Sequence, residues 1–214
     1  MFDVPKSTAR RVIPHLFFRK TRGLGELAEE VKPGILLAMV LYREILGDVL
    51  DNLPPPVRDL HDSAERRTWV GEVQVTPGVW WLRPFAKAFG FPTQGGTGPI
   101  TVTFTPDGDG EVWERDFDGH RLTSHQSYAA PDHMVERFGR AAVTVRFEPR
   151  ADRLHLIPVS GRAFGVPIPR YVLPKGTSFE TADNDRFRFD VEAILPFGRL
   201  VRYQGWLLPG ETLG

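Results

Sequence analysis

Two periods of apolar residues divide this chain. From residue 33 to residue 61 they recur at helical spacing, and from Arg67 onward they alternate with polar residues. In the first part, Pro33 suits a first helical turn, and Ile35, Leu36, Met39, Ile45 and Leu46 follow up to Gly47. Asp48–Asn52 reads as a further turn of helix. The Leu53-Pro54-Pro55-Pro56 run is a rigid break, and Val57–His61 is a short helix begun by the prolines. Upstream of all this, Ser7–Lys20 is loosely amphipathic, with Val12, Ile13, Leu16, Phe17 and Phe18 set between basic residues.

The second part is written in strands. Trp69, Gly71, Val73 and Val75 alternate with Val70, Glu72 and Gln74, and Pro77-Gly78 ends the run. Val79–Phe89 then predicts a short aromatic helix closed by Gly90. Beyond the glycine-rich Thr93–Pro99 loop, strands are expected at Ile100–Thr105, Glu111–Phe117, Arg121–Tyr128, Met134–Phe138, Ala141–Glu148 and Leu154–Val159. After an irregular stretch, Ser160–Lys175, come Thr177–Thr181, Phe187–Ile194 and Leu200–Leu207. Turn signals such as Asp118-Gly119 join most of these as hairpins, and no βαβ crossover is visible, so the sheet should be antiparallel. A long antiparallel sheet curls to hide its edges. The expected fold is therefore mainly β (α+β): a curved sheet of about nine strands forming a barrel or half-barrel, calycin-like, with one inserted helix. The expected organisation is a helical N-terminal extension over residues 1–62 and the β domain over residues 63–214.

Composition narrows the function classes. Hydrophobic residues make up 41% and charged residues 25%, enough for a buried core. The formal net charge is zero, which argues against a nucleic-acid partner. The balance is uneven, however: in residues 1–22 six cations against Asp3 alone leave a net of +5, so the remainder carries −5. The absence of cysteine removes thiol nucleophiles and Cys-based zinc sites, and fits a reducing, cytoplasmic location. The longest uncharged apolar run, Ile35–Tyr42, is far shorter than the roughly 20 residues a membrane-spanning helix needs.

Several patterns, in order along the chain, carry a resemblance. They are Leu41-Tyr42-Arg43-Glu44-Ile45-Leu46-Gly47, Leu53-Pro54-Pro55-Pro56-Val57-Arg58-Asp59-Leu60-His61, and Trp113-Glu114-Arg115-Asp116-Phe117. Val135-Glu136-Arg137-Phe138-Gly139, Asp185-Arg186-Phe187-Arg188-Phe189-Asp190-Val191 and Gly198-Arg199-Leu200-Val201-Arg202-Tyr203-Gln204-Gly205-Trp206-Leu207 complete the set. Over about residues 41–208 the chain resembles the bacterial family called domain of unknown function 4166. The resemblance implies no activity and no catalytic residue. Some members of that family look like appendages to NAD(P)-binding domains, but this chain has no phosphate loop to match them.

No recognisable catalytic motif emerges, so enzyme status is left open. Gln94-Gly95-Gly96-Thr97-Gly98 precedes a strand rather than opening a helix, and it lacks the P-loop lysine; it reads as a linker or as a guard to a barrel mouth. The six histidines show no metal-ligand spacing, and His120 and His125 fall on opposite faces of one strand. No cofactor and no metal are expected. The unusual feature is charge within a β pattern. Trp113, Arg115 and Phe117 share one strand face, and Tyr203 shares a face with Val201 and Leu207. Cross-strand ion pairs on a solvated face would explain such charges. The functional alternative makes Trp113, Arg115, Phe117, Glu136, Arg137 and Tyr203 the ligand-binding residues of an otherwise apolar pocket.

Three functional readings follow. The leading one is a module enclosing a small, apolar or amphipathic ligand, with an arginine suited to an acidic head group. The second is a cofactor-independent enzyme using acid/base groups such as His125, Glu136 or Asp190. The third is an interaction protein making peripheral membrane or protein contact through residues 1–24, with a homodimer as one form of that contact.

Overall fold

The computed structural model describes residues 40–210. The expected helix from Pro33 is seen from Leu41, as α1 (Leu41–Leu46); its first half and the basic Ser7–Lys20 stretch lie outside the described residues. A 3₁₀ segment (Gly47–Asn52) and α2 (Pro55–His61) follow, and Pro55 and Pro56 occupy the first turn of α2, where a missing N–H costs nothing.

Eleven strands come next. They are β1 (Arg67–Pro77), β2 (Gly96–Asp107), β3 (Gly110–Phe117), β4 (His120–Ala130), β5 (His133–Phe138) and β6 (Ala141–Arg150), then β7 (Arg153–Ala163), β8 (Val166–Pro167), β9 (Phe179–Asp183), β10 (Arg186–Leu195) and β11 (Gly198–Pro209). Between β1 and β2 lie a 3₁₀ turn (Trp80–Leu82) and α3 (Arg83–Ala88), closed by Gly90 at φ 80°. That is the aromatic helix expected at Val79–Phe89.

The sheet closes on itself. β1 through β7 form a meander, β7 pairs β9, β9 to β11 form a second meander, and β11 pairs β1, giving a closed antiparallel barrel of ten strands. β8 is a two-residue strand laid against the outer end of β7 and takes no part in the ring. Closure leaves the ring without a free edge. The turn expected at Asp118-Gly119 is a two-residue hairpin loop with φ 51° and 93°, the sense that matches strand twist. Where β1 meets β11 the strands come very close: a Cβ on Gly71 would lie 1.8 Å from the Trp206 carbonyl oxygen, so only glycine fits there. The thinnest seam is β7 with β9, where only Leu154↔Glu180 and His155↔Phe179 pair in register and the Leu156 N–H donates to the Ser178 carbonyl at 2.9 Å just beyond them.

Alternation decides what faces inward. Trp69, Val73 and Val75, Ile100, Val102 and Phe104, Phe187 and Phe189, and Val201 and Leu207 are all buried, while Arg186 and Arg188 stand outside. One end of the barrel is plugged by α1, the 3₁₀ segment and α2. Leu41, Tyr42, Ile45, Leu50, Val57 and Leu60 share a core cluster with Trp69, Trp113, Phe147 and Phe187, and Asp132 N–H donates to the Ile45 carbonyl at 3.1 Å. At the other end, Leu82 and Ala86 pack on Leu200, and the Phe91 and Phe138 rings meet at a tilt with centroids 5.5 Å apart. No helix among the described residues is long and apolar enough to cross a membrane.

Candidate functional site

The middle of the barrel is polar. On β3, alternation turns Glu111, Trp113, Arg115 and Phe117 inward; on β4 it turns Leu122, Ser124 and Gln126 the same way. Arg115 lies over the Trp113 ring, 4.7 Å from its centroid. One guanidinium nitrogen donates to Ser124 Oγ at 2.9 Å and another to Glu136 Oε1 at 3.1 Å. Glu136 Oε1 also accepts from Ser124 Oγ at 2.7 Å and from Gln126 Nε2 at 3.2 Å. Gln126 in turn accepts, through Oε1, the Tyr42 hydroxyl at 2.8 Å. The plug thus reaches the barrel's charged centre through a tyrosine that neighbours the apolar residues of its own helix.

Two more buried acid–base pairs flank this cluster. His61 Nε2 and Glu180 Oε2 lie 2.6 Å apart, and the His61 ring stacks on Tyr42 at 3.8 Å between centroids. Arg67 donates to Glu111 Oε1 at 2.6 Å, while Trp113 Nε1 donates to Glu111 Oε2 at 2.7 Å. Three buried carboxylates therefore face two guanidiniums and one imidazole. Two buried nitrogens among the described residues have no hydrogen-bond partner, His61 Nδ1 and one of the Arg67 guanidinium nitrogens.

These groups surround an interior cavity of about 70 Å³, lined by Tyr42, Trp113, Arg115, Glu136, Glu180 and Tyr203 with apolar neighbours. The Tyr203 hydroxyl finds no hydrogen-bond partner among the described residues, and burial, opposed in part by Arg115, pushes its pKa up to about 12. Burial likewise raises the Tyr42 hydroxyl, and Glu180 adds to the effect. For Arg115, burial acts to lower the pKa, but Glu136, with smaller contributions from Tyr203 and Tyr42, more than offsets it, so the pKa is raised and the guanidinium stays charged.

A larger cleft, of about 450 Å³, opens at the end away from the plug. It is lined by Val73, Val75 and Phe117, by the Pro92–Pro99 loop, and by Asp118–His120. Its size has a simple cause. Gly96 and Gly98 pair with Val75 and Val73 and have no side chains to fill the barrel interior there. A Cβ on Gly98 would meet nothing nearer than the Asp118 side chain at 3.9 Å. Phe117 forms the wall of this cleft and also contacts Tyr203, at 5.5 Å between centroids, so one phenyl ring stands between cleft and cavity.

Five of the six residues singled out in the sequence point into the barrel. Trp113, Arg115, Glu136 and Tyr203 line the cavity, and Phe117 lines the cleft. Arg137 does not join them: it follows Glu136 directly, so the pleat sends it outside, where it is exposed and donates to Ser127 Oγ at 3.1 Å. The acid/base groups named for an enzyme divide likewise. Glu136 is inside, whereas His125 faces Asp107 on the outer wall and Asp190 is held there by Arg202. Sequence reasoning missed Tyr42, His61, Ser124, Gln126, Glu111 and Glu180. The register of β3 and β4 carried a signal for three of these: Glu111 shares parity with Trp113, and Ser124 and Gln126 share parity with Leu122. His61 and Glu180 carry no such mark, because their pairing spans 119 residues and exists only in the folded ring.

The family model described as "Domain of unknown function (DUF4166)" matches residues 53–207. The chain belongs to this family. The DUF4166 match takes in α2 and the barrel as far as Leu207, while α1, with Tyr42, precedes it. The chain matches no curated protein and no solved structure.

Proposed function

We propose that this barrel is a cytoplasmic binding module for a small amphipathic molecule, whose polar head meets Arg115, Glu136 and Tyr203. The observation that carries the reading is the charged cluster lining a cavity in an otherwise apolar interior. Buried ion pairs seldom stabilise a fold more than apolar residues of equal volume would, so stability alone does not account for this one. Glu136 already neutralises Arg115, and the Tyr203 hydroxyl is unengaged. A hydroxyl, carbonyl or protonated acid therefore suits the site better than a free carboxylate, which would also face Glu180. At about 70 Å³ the inner cavity takes only a head group, against roughly 300–1,000 Å³ for common ligand pockets. The apolar part of the ligand lies in the upper cleft, which it joins when the Phe117 ring turns aside.

The test is thermal melting of the full chain with fatty acids, isoprenoids, polyketide-like acids and the matching alcohols, together with native mass spectrometry for a copurified molecule. A ligand should raise Tm for the native chain but not for Gly98→Leu, whose new side chain fills open space in the cleft. No shift with any compound and no copurified mass would sink the reading. A second reading, a cofactor-independent enzyme, draws on His61–Glu180 beside a cavity that Glu136 also lines. Recovery of the bound ligand chemically unchanged after prolonged incubation decides against it.

A further inference from the structure

Large apolar side chains exposed to solvent are not scattered over this molecule. Of the nine among the described residues, seven sit at the end away from the plug: Trp80, Trp81 and Phe85 beside or on α3, Phe197 in the β10–β11 turn, and Phe164, Val166 and Tyr171 after β7. Trp80 is 73% exposed and Tyr171 72%, so the core makes little use of them. Three of them touch, since Trp81 Nε1 donates to the Phe197 carbonyl at 3.3 Å and Trp80 and Trp81 meet edge to face at 5.7 Å, and Phe164 approaches Phe89, just beyond α3, at 6.1 Å. The same end is cationic. Its connecting segments carry exposed Arg83, Lys87, Arg140, Arg170 and Lys175, with Arg162 at the end of β7 and Asp118 the one acid in the turns there; Arg199 is held by Glu192. The turns at the plugged end lean the other way, with Asp107 and Asp109, Asp132, Asp152, and Asp183 and Asp185 against exposed Arg150, Arg153 and Arg186 beside them. The described residues are thus polarised along the barrel axis.

From this we infer that the unplugged rim docks on an anionic lipid surface, with its aromatic tips in the headgroup layer and its cations against lipid phosphates. Tryptophan and tyrosine favour that layer because each has an apolar body and a polar edge, and basic residues next to them add attraction to anionic lipid. A second copy of the chain is a poorer occupant, since pairing this rim with itself would bring the cations together. The upper cleft opens at the same end, which would set its mouth at the membrane. Docking does not depend on the interior holding a ligand, so it stands or falls separately from the binding reading.

The experiment is cosedimentation of the full chain with vesicles of phosphatidylcholine, with and without phosphatidylglycerol, at low salt. The native chain should bind only the vesicles containing phosphatidylglycerol, with a blue shift in tryptophan emission. Trp80→Ser with Phe197→Ser, and separately Arg83→Glu with Lys87→Glu, should each lower binding at least tenfold while leaving Tm unchanged, because these side chains are exposed. A full-length control with Arg10, Arg11, Arg19 and Lys20 changed to Gln should keep the blue shift. No binding to anionic vesicles overturns the inference. So does binding that the rim variants leave intact, or binding that only the control abolishes. Tight binding of duplex DNA through the same rim, without vesicle binding, overturns it as well.

Discussion

Removing Arg115 tests whether the interior cluster is kept for function. The side chains of Arg115 and Glu136 are 9% and 12% exposed, so neither charge has much water to fall back on. Arg115→Met leaves the Glu136 carboxylate with only Ser124 and Gln126 as donors, and Glu136→Gln leaves the guanidinium facing a neutral amide. Breaking a buried pair from one side costs about 3–5 kcal/mol, because the remaining charge is stranded. In a domain of this size that lowers Tm by roughly 10 °C. The double variant strands no charge: the new amide oxygen still accepts from Ser124 and Gln126, and Met fills the arginine's apolar path beside Trp113. It should lie within about 2 kcal/mol of the native chain, giving a coupling of several kcal/mol between the sites. Urea unfolding of the four proteins measures this cycle directly. Additive losses would refute the account of Arg115 and Glu136 as one electrostatic unit. A double variant that matches the native chain in stability and also in ligand binding would refute the claim that the cluster serves binding.

Three further outcomes are expected. Gly71→Ala should cost about 3 kcal/mol or more, or prevent folding, because the added Cβ meets the Trp206 carbonyl oxygen at 1.8 Å; far-UV circular dichroism and yield of folded protein read this. Leu60→Ala, in a helix that precedes the first strand, should lose about 2–5 kcal/mol in urea unfolding, since Leu60 is fully buried in the core shared with the barrel. Tyr203→Phe should be nearly neutral at pH 7 and should flatten the alkaline loss of stability. The unfolded tyrosine loses its proton near pH 10 and the folded one near 12, so between those values the unfolded chain holds fewer protons and stability falls with pH. The native chain loses about 3 kcal/mol there from this group, none of it below pH 10, and Tyr42 adds in the same direction; unfolding curves from pH 8 upward would show it.

The alternation of β3 was enough to place Trp113, Arg115 and Phe117 on one face, and the aromatic and apolar residues of β10 and β11 showed which faces are core. Side-chain parity is local: it needs only the two-residue period of an extended chain, and a single misplaced residue would expose a whole strand face. The same rule sorts Glu136 inward and Arg137 outward, and applying it strictly would have excluded Arg137 from the sequence reading. The strand positions, the hairpins and the helix at α3 were legible for the same reason, since each rests on neighbours a few residues away.

Closure was not local. That β11 returns to β1, and that β7 pairs β9 as well as β8, depends on strand tilt and stagger summed around ten strands, which no short window encodes. The same holds for the charges. Any of the buried acids might have met any of the buried bases, and only the ring's register assigns Glu136 to Arg115, Glu180 to His61 and Glu111 to Arg67. The polarised ends follow too. Turn residues far apart in sequence become one cationic aromatic rim or one acidic end only because successive strands alternate direction. What this sequence determined by itself is the inside and outside of each strand; which inward groups meet, and what space they leave, was decided by the closed ring.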